Sequence, residues 1–306
     1  VTKQTVLLVG SDTLTFSLVL CLRKAGQSVI LKTEQPKEAL AYLSSDGKET
    51  FYEDADFSVL TDYTFPRDIA LVIAVTAEEL WVKTNLIREL ESYVSAETII
   101  AINSESIFLN LLQENTRVPK RILCANWVEP AHTTFFLEII ANSVTSPYCT
   151  DYLKNIATEN WNKDPYVIQG ESGIRAQVMA ALIREAFYLV KNGFATIEDV
   201  DRACRNDAGY YLPFAGNLRY MDLMGTYAYG MVMEDLNREL AKDNEVPEFF
   251  NAMICNGELG MQSGKGFYNY QPGEAAKWAG LLKQFSEEIG ALIDRYPFKY
   301  KTGKVG

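Results

Sequence analysis

The chain has 306 residues, 48% of them hydrophobic, enough for two packed domains and a sizeable core. Its 29 basic and 40 acidic residues leave a net charge of −11, which argues against nucleic acid or an anionic membrane as partner and for a dispersed cytoplasmic protein. The 5 cysteines, at positions 21, 124, 149, 204 and 255, are scattered, lack a C-x-x-C and read as reduced thiols rather than a disulfide framework or zinc site.

No signal peptide is visible, and no apolar run approaches the roughly 20 residues that span a bilayer. Val6 to Val9 is a short apolar run closed by Gly10. A helical pattern through Phe16, Leu20 and Leu22 follows and ends at Gly26, and Ser28 to Lys32 reads as a second strand. Strand, helix and strand within about 30 residues form a βαβ unit and imply a parallel sheet. Further strands fit Ile69 to Val75, Thr98 to Ile102 and Ile122 to Ala125. Glu78 to Tyr93 has helical periodicity, with Leu80, Leu86, Ile87 and Leu90 on one face.

The first half therefore reads as an α/β domain, residues 1–168, with a Rossmann-like doubly wound sheet. From Gly173 the period becomes helical, predicting an all-helical domain over 171–306. Val178, Leu182, Ala186, Leu189 and Val190 form an apolar stripe that stops at Asn192-Gly193, a C-cap pattern. Thr196 with Asp199 three residues on has capping-box spacing for the next helix.

A dinucleotide-binding turn needs glycine at three places: for the turn, for approach of the pyrophosphate and for helix–strand packing. This chain reads Gly10-Ser11-Asp12-Thr13-Leu14-Thr15, so Asp12 and Thr15 replace two of the three. A carboxylate close to a diphosphate costs on the order of 4 kcal/mol per charge pair at an effective dielectric near 20. The competing reading is that Ser11, Asp12 or Thr13 caps its own helix and takes the N–H groups a phosphate would use.

Asn126-Trp127-Val128-Glu129-Pro130, with Glu138 twelve residues on, resembles the active-site segment of the 3-hydroxyacyl-CoA dehydrogenase family. The helical half is similar too, in Ala181 to Ala186, Asn192 to Thr196, Met221 to Gly225 and Gly264 to Tyr270. The resemblance covers nearly the whole chain in the family's order. It implies NAD as cofactor, an acyl-CoA or other small-molecule substrate, and a homodimer formed through the helical domain.

It also implies roles for particular positions. Gly10, Asp12, Thr13 and Leu14 fall at the pyrophosphate turn and Thr33 where an acidic residue holds the adenosine ribose, with Glu34 beside it as a substitute. Glu78, Lys83 and Ser106 fall on the cofactor-facing side. Asn126 stands where the family has its histidine base, Glu129 where it has an asparagine, and Glu138 where it has the glutamate that orients the histidine. Glu105 replaces a serine that contacts substrate, and Gln177 a cleft asparagine. If Glu105, Glu129 and Glu138 lined one cleft, one carboxylate could serve as a base of raised pKa. Glu138 also reads as a strand carboxylate hydrogen-bonded by Asn126. The lone histidine, His132, reads as a surface or structural residue.

The family's helical hairpin after the second strand, which contacts CoA, has no room in Thr33 to Arg67. That segment holds one candidate helix, Pro36 to Leu43, and an acidic stretch at Glu53, Asp54 and Asp56. Two functions remain open from the residues. One is an oxidoreductase of this family, weakened or acting on another substrate. The other is a non-catalytic homologue that serves as a binding or assembly module. Either way, weak or absent NAD binding is expected.

Overall fold

A computed structural model of the protein describes residues 5–45, 56–64 and 69–296. Eight four- or five-residue strands form one sheet: β1 (Val6–Val9), β2 (Val29–Lys32), β3 (Phe57–Leu60), β4 (Leu71–Ala74), β5 (Ile99–Ile102), β6 (Ile122–Asn126), β7 (Glu138–Ala141) and β8 (Tyr166–Gln169). Their order is β3-β2-β1-β4-β5-β6-β7-β8, and every pairing is parallel except β6 with β7, where Asn126 faces Glu138. The parallel-dominated α/β fold is thus as the residues predict.

The central strands are apolar throughout because both faces of the sheet are covered. Alternation divides them: Val6 and Leu8 enter one core cluster with Phe16, Leu18 and Trp127, while Leu7 and Val9 enter another with Ile87 and Leu90. The covering helices are α1 (Thr13–Lys24), α2 (Pro36–Ser45), α3 (Leu80–Tyr93), α4 (Leu109–Gln113) and α5 (Pro147–Asn160). Because β1 lies between β2 and β4, the chain reverses direction across the sheet there. The crevice at the carboxyl ends of these strands is where doubly wound folds place ligands.

Some boundaries differ from the sequence reading. Helix α3 starts at Leu80 rather than Glu78, because the Glu78 carboxylate binds backbone N–H groups of residues 105–107 instead of joining a first turn. Strand β5 starts at Ile99, since the Thr98 N–H turns back to the Ser95 carbonyl at 3.3 Å instead of joining the ladder. Strands β3 and β8 have no counterpart in the sequence reading, and β7 has one only in Glu138, read as a strand carboxylate. Glu53, Asp54 and Arg67 lie outside the described residues. Of the segment after β2, the described part contains the single helix α2, extending to Ser45.

The chain divides into two compact units after Gln177. Helix α6 (Ile174–Lys191) is followed by α7 (Ile197–Ala203), α8 (Gly209–Met224), α9 (Thr226–Leu236), α10 (Glu248–Cys255) and α11 (Glu274–Arg295), so the second unit is helical. Gly193, at φ +72°, closes α6 in the left-handed region that glycine tolerates. Thr196 and Asp199 make the reciprocal capping box of α7. No residue of the second unit's described part is buried except Ala215, Ala241 and Gly290. Val178 and Leu182, from the apolar stripe, are 60% and 51% exposed. Among the described residues no helix is long and apolar enough to cross a membrane.

Candidate functional site

The turn after β1 is occupied by its own side chains. Asp12 is the N-cap of α1, and its Oδ1 accepts from the Thr15 N–H at 2.8 Å and from the Thr15 hydroxyl at 2.6 Å. Thr15 is fully buried, and its hydroxyl oxygen lies 2.2 Å from where a Cβ on Gly10 would stand, with the Val75 carbonyl at 2.7 Å. Gly10 is therefore required for the packing of α1 against the turn. The hydroxyl that demands it takes space that a glycine at position 15 would leave open.

Ser11 continues the pattern. Its Oγ accepts from the Glu34 N–H at 3.0 Å and from the Thr33 hydroxyl at 3.1 Å, while Thr33 Oγ1 accepts from the Gln35 N–H. Thr33 is buried and tied to the turn, so its side chain does not face the crevice. Glu34 lines the crevice instead, its side chain 83% exposed and 3.8 Å from Lys32 Nζ. Thr13 Oγ1 donates to Glu129 Oε2 at 2.6 Å, which brings a second carboxylate to the head of α1. Leu14 packs on the core.

Two carboxylates, Asp12 and Glu129, thus stand at the head of α1. The Thr15 N–H is taken by Asp12, and the Asp12 and Glu129 carboxylates at the head of α1 disfavour a diphosphate there. The crevice itself is present, a cleft of about 590 Å³ lined by residues that include Gly10, Asp12, Lys32, Glu34, Trp81 and Glu89.

A second group lies at the ends of β5, β6 and β7. Asn126 and Glu138 are both fully buried, and Asn126 Nδ2 donates to Glu138 Oε1 at 3.2 Å. Asn126 Oδ1 accepts from the Ser104 N–H at 2.8 Å. The other Glu138 oxygen accepts from the Tyr166 hydroxyl at 3.0 Å and from the N–H groups of Ile174 and Arg175 at 2.6 and 3.1 Å. The carboxylate thus sits on the N-terminus of α6, where unpaired N–H groups and the helix dipole favour negative charge. A Cβ on Gly173 would stand 1.9 Å from Glu138 Oε1, so the chain can enter α6 here only through glycine. Burial, and then the nearby Glu138 charge, pushes the Tyr166 phenol well above its ordinary value.

Ser104 links this pair to a third group. Its Oγ lies 3.2 Å from Glu78 Oε1, which also accepts from the N–H groups of Glu105, Ser106 and Ile107 at 3.0, 2.8 and 3.2 Å and from the Ser106 hydroxyl. Glu78 Oε2 pairs with Lys83 Nζ at 3.1 Å, and the buried lysine donates to the Asn103 and Thr76 carbonyls. Burial acts to raise the Glu78 pKa, but the Ser106 N–H, Lys83 and the Ile107 N–H together hold it below the ordinary carboxylate value. Glu78, Lys83 and Ser106 therefore form one network bracing the ends of β4 and β5, and the polar groups of Glu78 and Lys83 are directed into it.

Glu105, Glu129 and Glu138 are each held by different partners, although Glu105 and Glu138 both lie against Arg175 and act on Tyr166. Glu138 is enclosed by four donors, Glu129 is held by Thr13, and Glu105 pairs with Arg175 Nη1 at 2.6 Å. Gln177 donates to Ser172 Oγ at 3.1 Å, on an exposed face. His132 is half-buried in the turn after Pro130. Arg175 is the residue the sequence reading missed. Its guanidinium lies 6.0 Å from the Phe136 ring centroid, and Phe136 packs edge-on against Tyr166. Its only sequence signal is a cation at the second position of α6.

The model of the family's NAD-binding domain matches residues 21–171, and that of its C-terminal domain matches residues 174–270. The chain belongs to the 3-hydroxyacyl-CoA dehydrogenase family. The first of these matches begins inside α1, past the Gly10–Thr15 turn. Among relatives, 5-formyl-3-hydroxy-2-methylpyridine 4-carboxylate 5-dehydrogenase of Mesorhizobium japonicum is 26% identical over 204 residues, 66% of each chain. The 3-hydroxybutyryl-CoA dehydrogenase of Mycobacterium tuberculosis is 28% identical over 268 residues, 85% of this chain and 91% of that one. The chain also matches fatty acid oxidation complex alpha subunits, such as that of Shewanella sp., but spans only 32% of their length. In fold it superposes on a crystal structure of the pyridine-carboxylate dehydrogenase, described as an NAD+-dependent dismutase. The TM-score is 0.85 at 22% identity, covering 97% of this chain and 99% of that one.

Proposed function

We propose that this is a divergent member of the family in which hydride transfer between a 3-hydroxy or 3-oxo acyl substrate and nicotinamide is weak or lost. The observation that carries this reading is the buried Asn126–Glu138 pair. Asn126 has the contact to Glu138 that would orient a histidine base, yet an amide cannot take the proton of a hydroxyl. General-base assistance is worth about 10²–10⁴ in rate. The Asp12 cap supports the same reading from the cofactor side.

NAD and NADH should therefore bind in roughly the millimolar range, about −4 kcal/mol. Calorimetric titration of the purified protein tests this directly, and a micromolar dissociation constant would return the chain to the active dehydrogenases.

A second reading, an oxidoreductase acting on a small substrate other than a CoA ester, is favoured by one observation. Glu105 and Arg175 form an ion pair beside Phe136 and Tyr166, a polar and aromatic surface suited to a charged ring compound. The pyridine-carboxylate relative acts on such a compound, as its name states. Turnover of a hydroxymethyl- or formyl-pyridine carboxylate with added NAD distinguishes this reading from the first.

We also infer a cytoplasmic homodimer built on the helical unit. A unit with only three buried residues among those described leaves apolar faces on α6, α8 and α11 that a second copy would cover. Light scattering at micromolar concentration is expected to give twice the chain mass, and a monomer there would refute this.

A further inference from the structure

The two units of the chain differ in what holds them together. Apart from Ala215 and Ala241, every buried apolar side chain among the described residues belongs to the first unit. The second unit's helices are short or broken. Helix α7 has 7 residues and α10 has 8, while α8 contains Pro213 and a break at Gly216, φ +67°. Helices below about 12–15 residues are marginal in water unless an apolar face packs on a neighbour. Within one copy that packing is largely missing.

Helix α11 shows what is left without a partner. Trp278, Leu282, Phe285, Ile289 and Leu292 recur at alternating steps of four and three, the spacing of a helix-packing seam. Trp278, Leu282 and Phe285 are 50%, 52% and 61% exposed. Phe285, Ile289 and Leu292 also form one wall of a groove of about 570 Å³, whose other wall is Tyr210, Pro213 and Phe214 of α8. A seam and a groove on one surface suit a two-fold pair, in which the same patch of each copy meets its counterpart.

The area involved is too large for two ready-made monomers that merely touch. The chain exposes 18732 Å², where a folded monomer of 34.4 kDa is expected to expose about 12,900 Å². The excess is about 5,800 Å², and about 2,200 Å² of it remains when the residues outside the described ones are set aside as extended chain. Doubled over two copies, even the smaller figure lies high in the range of obligate homodimers, about 2,000–5,000 Å² in total, against about 1,600 Å² for a standard contact.

We propose that the second unit has no folded state as a single copy, and that the α8–α11 surface of a second copy completes its core. The proposal rests on the homodimer inferred above and goes further. Association and folding of this unit are one step, whereas the first unit carries its own core.

The test is urea unfolding of the full chain over about a hundredfold range of concentration, with helix content read by circular dichroism and mass by light scattering. The hundredfold rise is expected to move the second unit's midpoint up by about 1 M, because stability of an obligate dimer depends on protomer concentration. Dimer mass and helix signal should fall together, and a further transition from the first unit should not move. Leu282→Glu puts a charge in the seam at a position that a fold complete in one copy would barely register. It is expected to yield a monomer with the second unit's helix signal lost and the first unit's transition unchanged. A dimer that dissociates with its helix content intact, or a midpoint independent of concentration, overturns this proposal and leaves the homodimer standing. So does a Leu282→Glu protein that stays dimeric and fully helical. A fully helical monomer at micromolar concentration overturns both.

Discussion

Glu138→Ala is expected to destabilise the N-terminal unit by about 3–5 kcal/mol, the range for breaking a buried charged network. The carboxylate satisfies four donors from three directions: Asn126 Nδ2 on β6, the Tyr166 hydroxyl on β8, and two N–H groups that open α6. An alanine strands all four, and a buried unsatisfied donor costs about 1–3 kcal/mol. Water entering the cavity recovers part of this at the α6 end, which keeps the total below the simple sum. Glu138→Gln should fall between wild type and alanine. The amide retains one acceptor oxygen, but its NH2 must then face another donor. Asn126→Ala removes the acceptor of the Ser104 N–H and one of Glu138's four donors, so it should cost about 1–3 kcal/mol. Urea unfolding followed by tryptophan fluorescence reads these differences, since the two core tryptophans, Trp127 and Trp161, lie in this unit. With a slope of about 2 kcal/mol/M, alanine should move the midpoint by roughly 2 M. A loss under 1 kcal/mol would mean that the pair is dispensable to the fold and is kept for chemistry instead.

The sheet was legible where strands are buried on both faces. Val6–Val9, Leu71–Ala74 and Ile99–Ile102 are unbroken apolar runs, and only a central parallel strand needs such a run. Strands β3 and β8 are partly exposed and end in mixed sequence, and β7 was legible only at Glu138, as a strand carboxylate bonded by Asn126.

The site followed the same division. Asp12 as a helix cap could be read from residue type and its place before an apolar pattern. The Glu105–Arg175 pair could not, because seventy residues separate its members and either alone reads as a solvated charge. Nor could the role of Ser104, whose backbone N–H joins Asn126 to the Glu78 network through a group every residue but proline carries. The placing of Thr33 inside rather than on the crevice is a consequence of Ser11. A hydroxyl at that turn position offers β2 a partner, and the Thr33 side chain turns toward it.

Restoring the family reaction should require repairs at both ends of the site together. Asn126→His alone puts a base beside Glu138 Oε1, which can accept an imidazole N–H as it now accepts the Asn126 amide. No cofactor would then be held opposite it. Asp12→Gly with Thr15→Gly frees the N–H at position 15 and opens the space against Gly10 now filled by the Thr15 hydroxyl. The lost cap and the helix glycine cost about 1 kcal/mol each. Helix α1 tolerates this because Phe16, Leu18, Leu20 and Leu22 stay buried. Each repair alone should leave reduction of acetoacetyl-CoA by NADH near background. The triple variant should gain more than the product of the separate gains, because base and cofactor site act as a unit. Glu105 and the short segment between β2 and β4 are expected to hold the rate below that of an ordinary family enzyme. A four-way comparison of unmodified, singly repaired, doubly repaired and triple proteins measures the coupling. Simple multiplicativity would show that position 126 and the turn contribute independently. Turnover by the unmodified chain at about 1 s⁻¹ or faster, within the usual enzyme range, would mean that Asn126 is no defect. The base must then lie elsewhere, and Glu129, an exposed carboxylate at the head of α1, would be the first residue to replace.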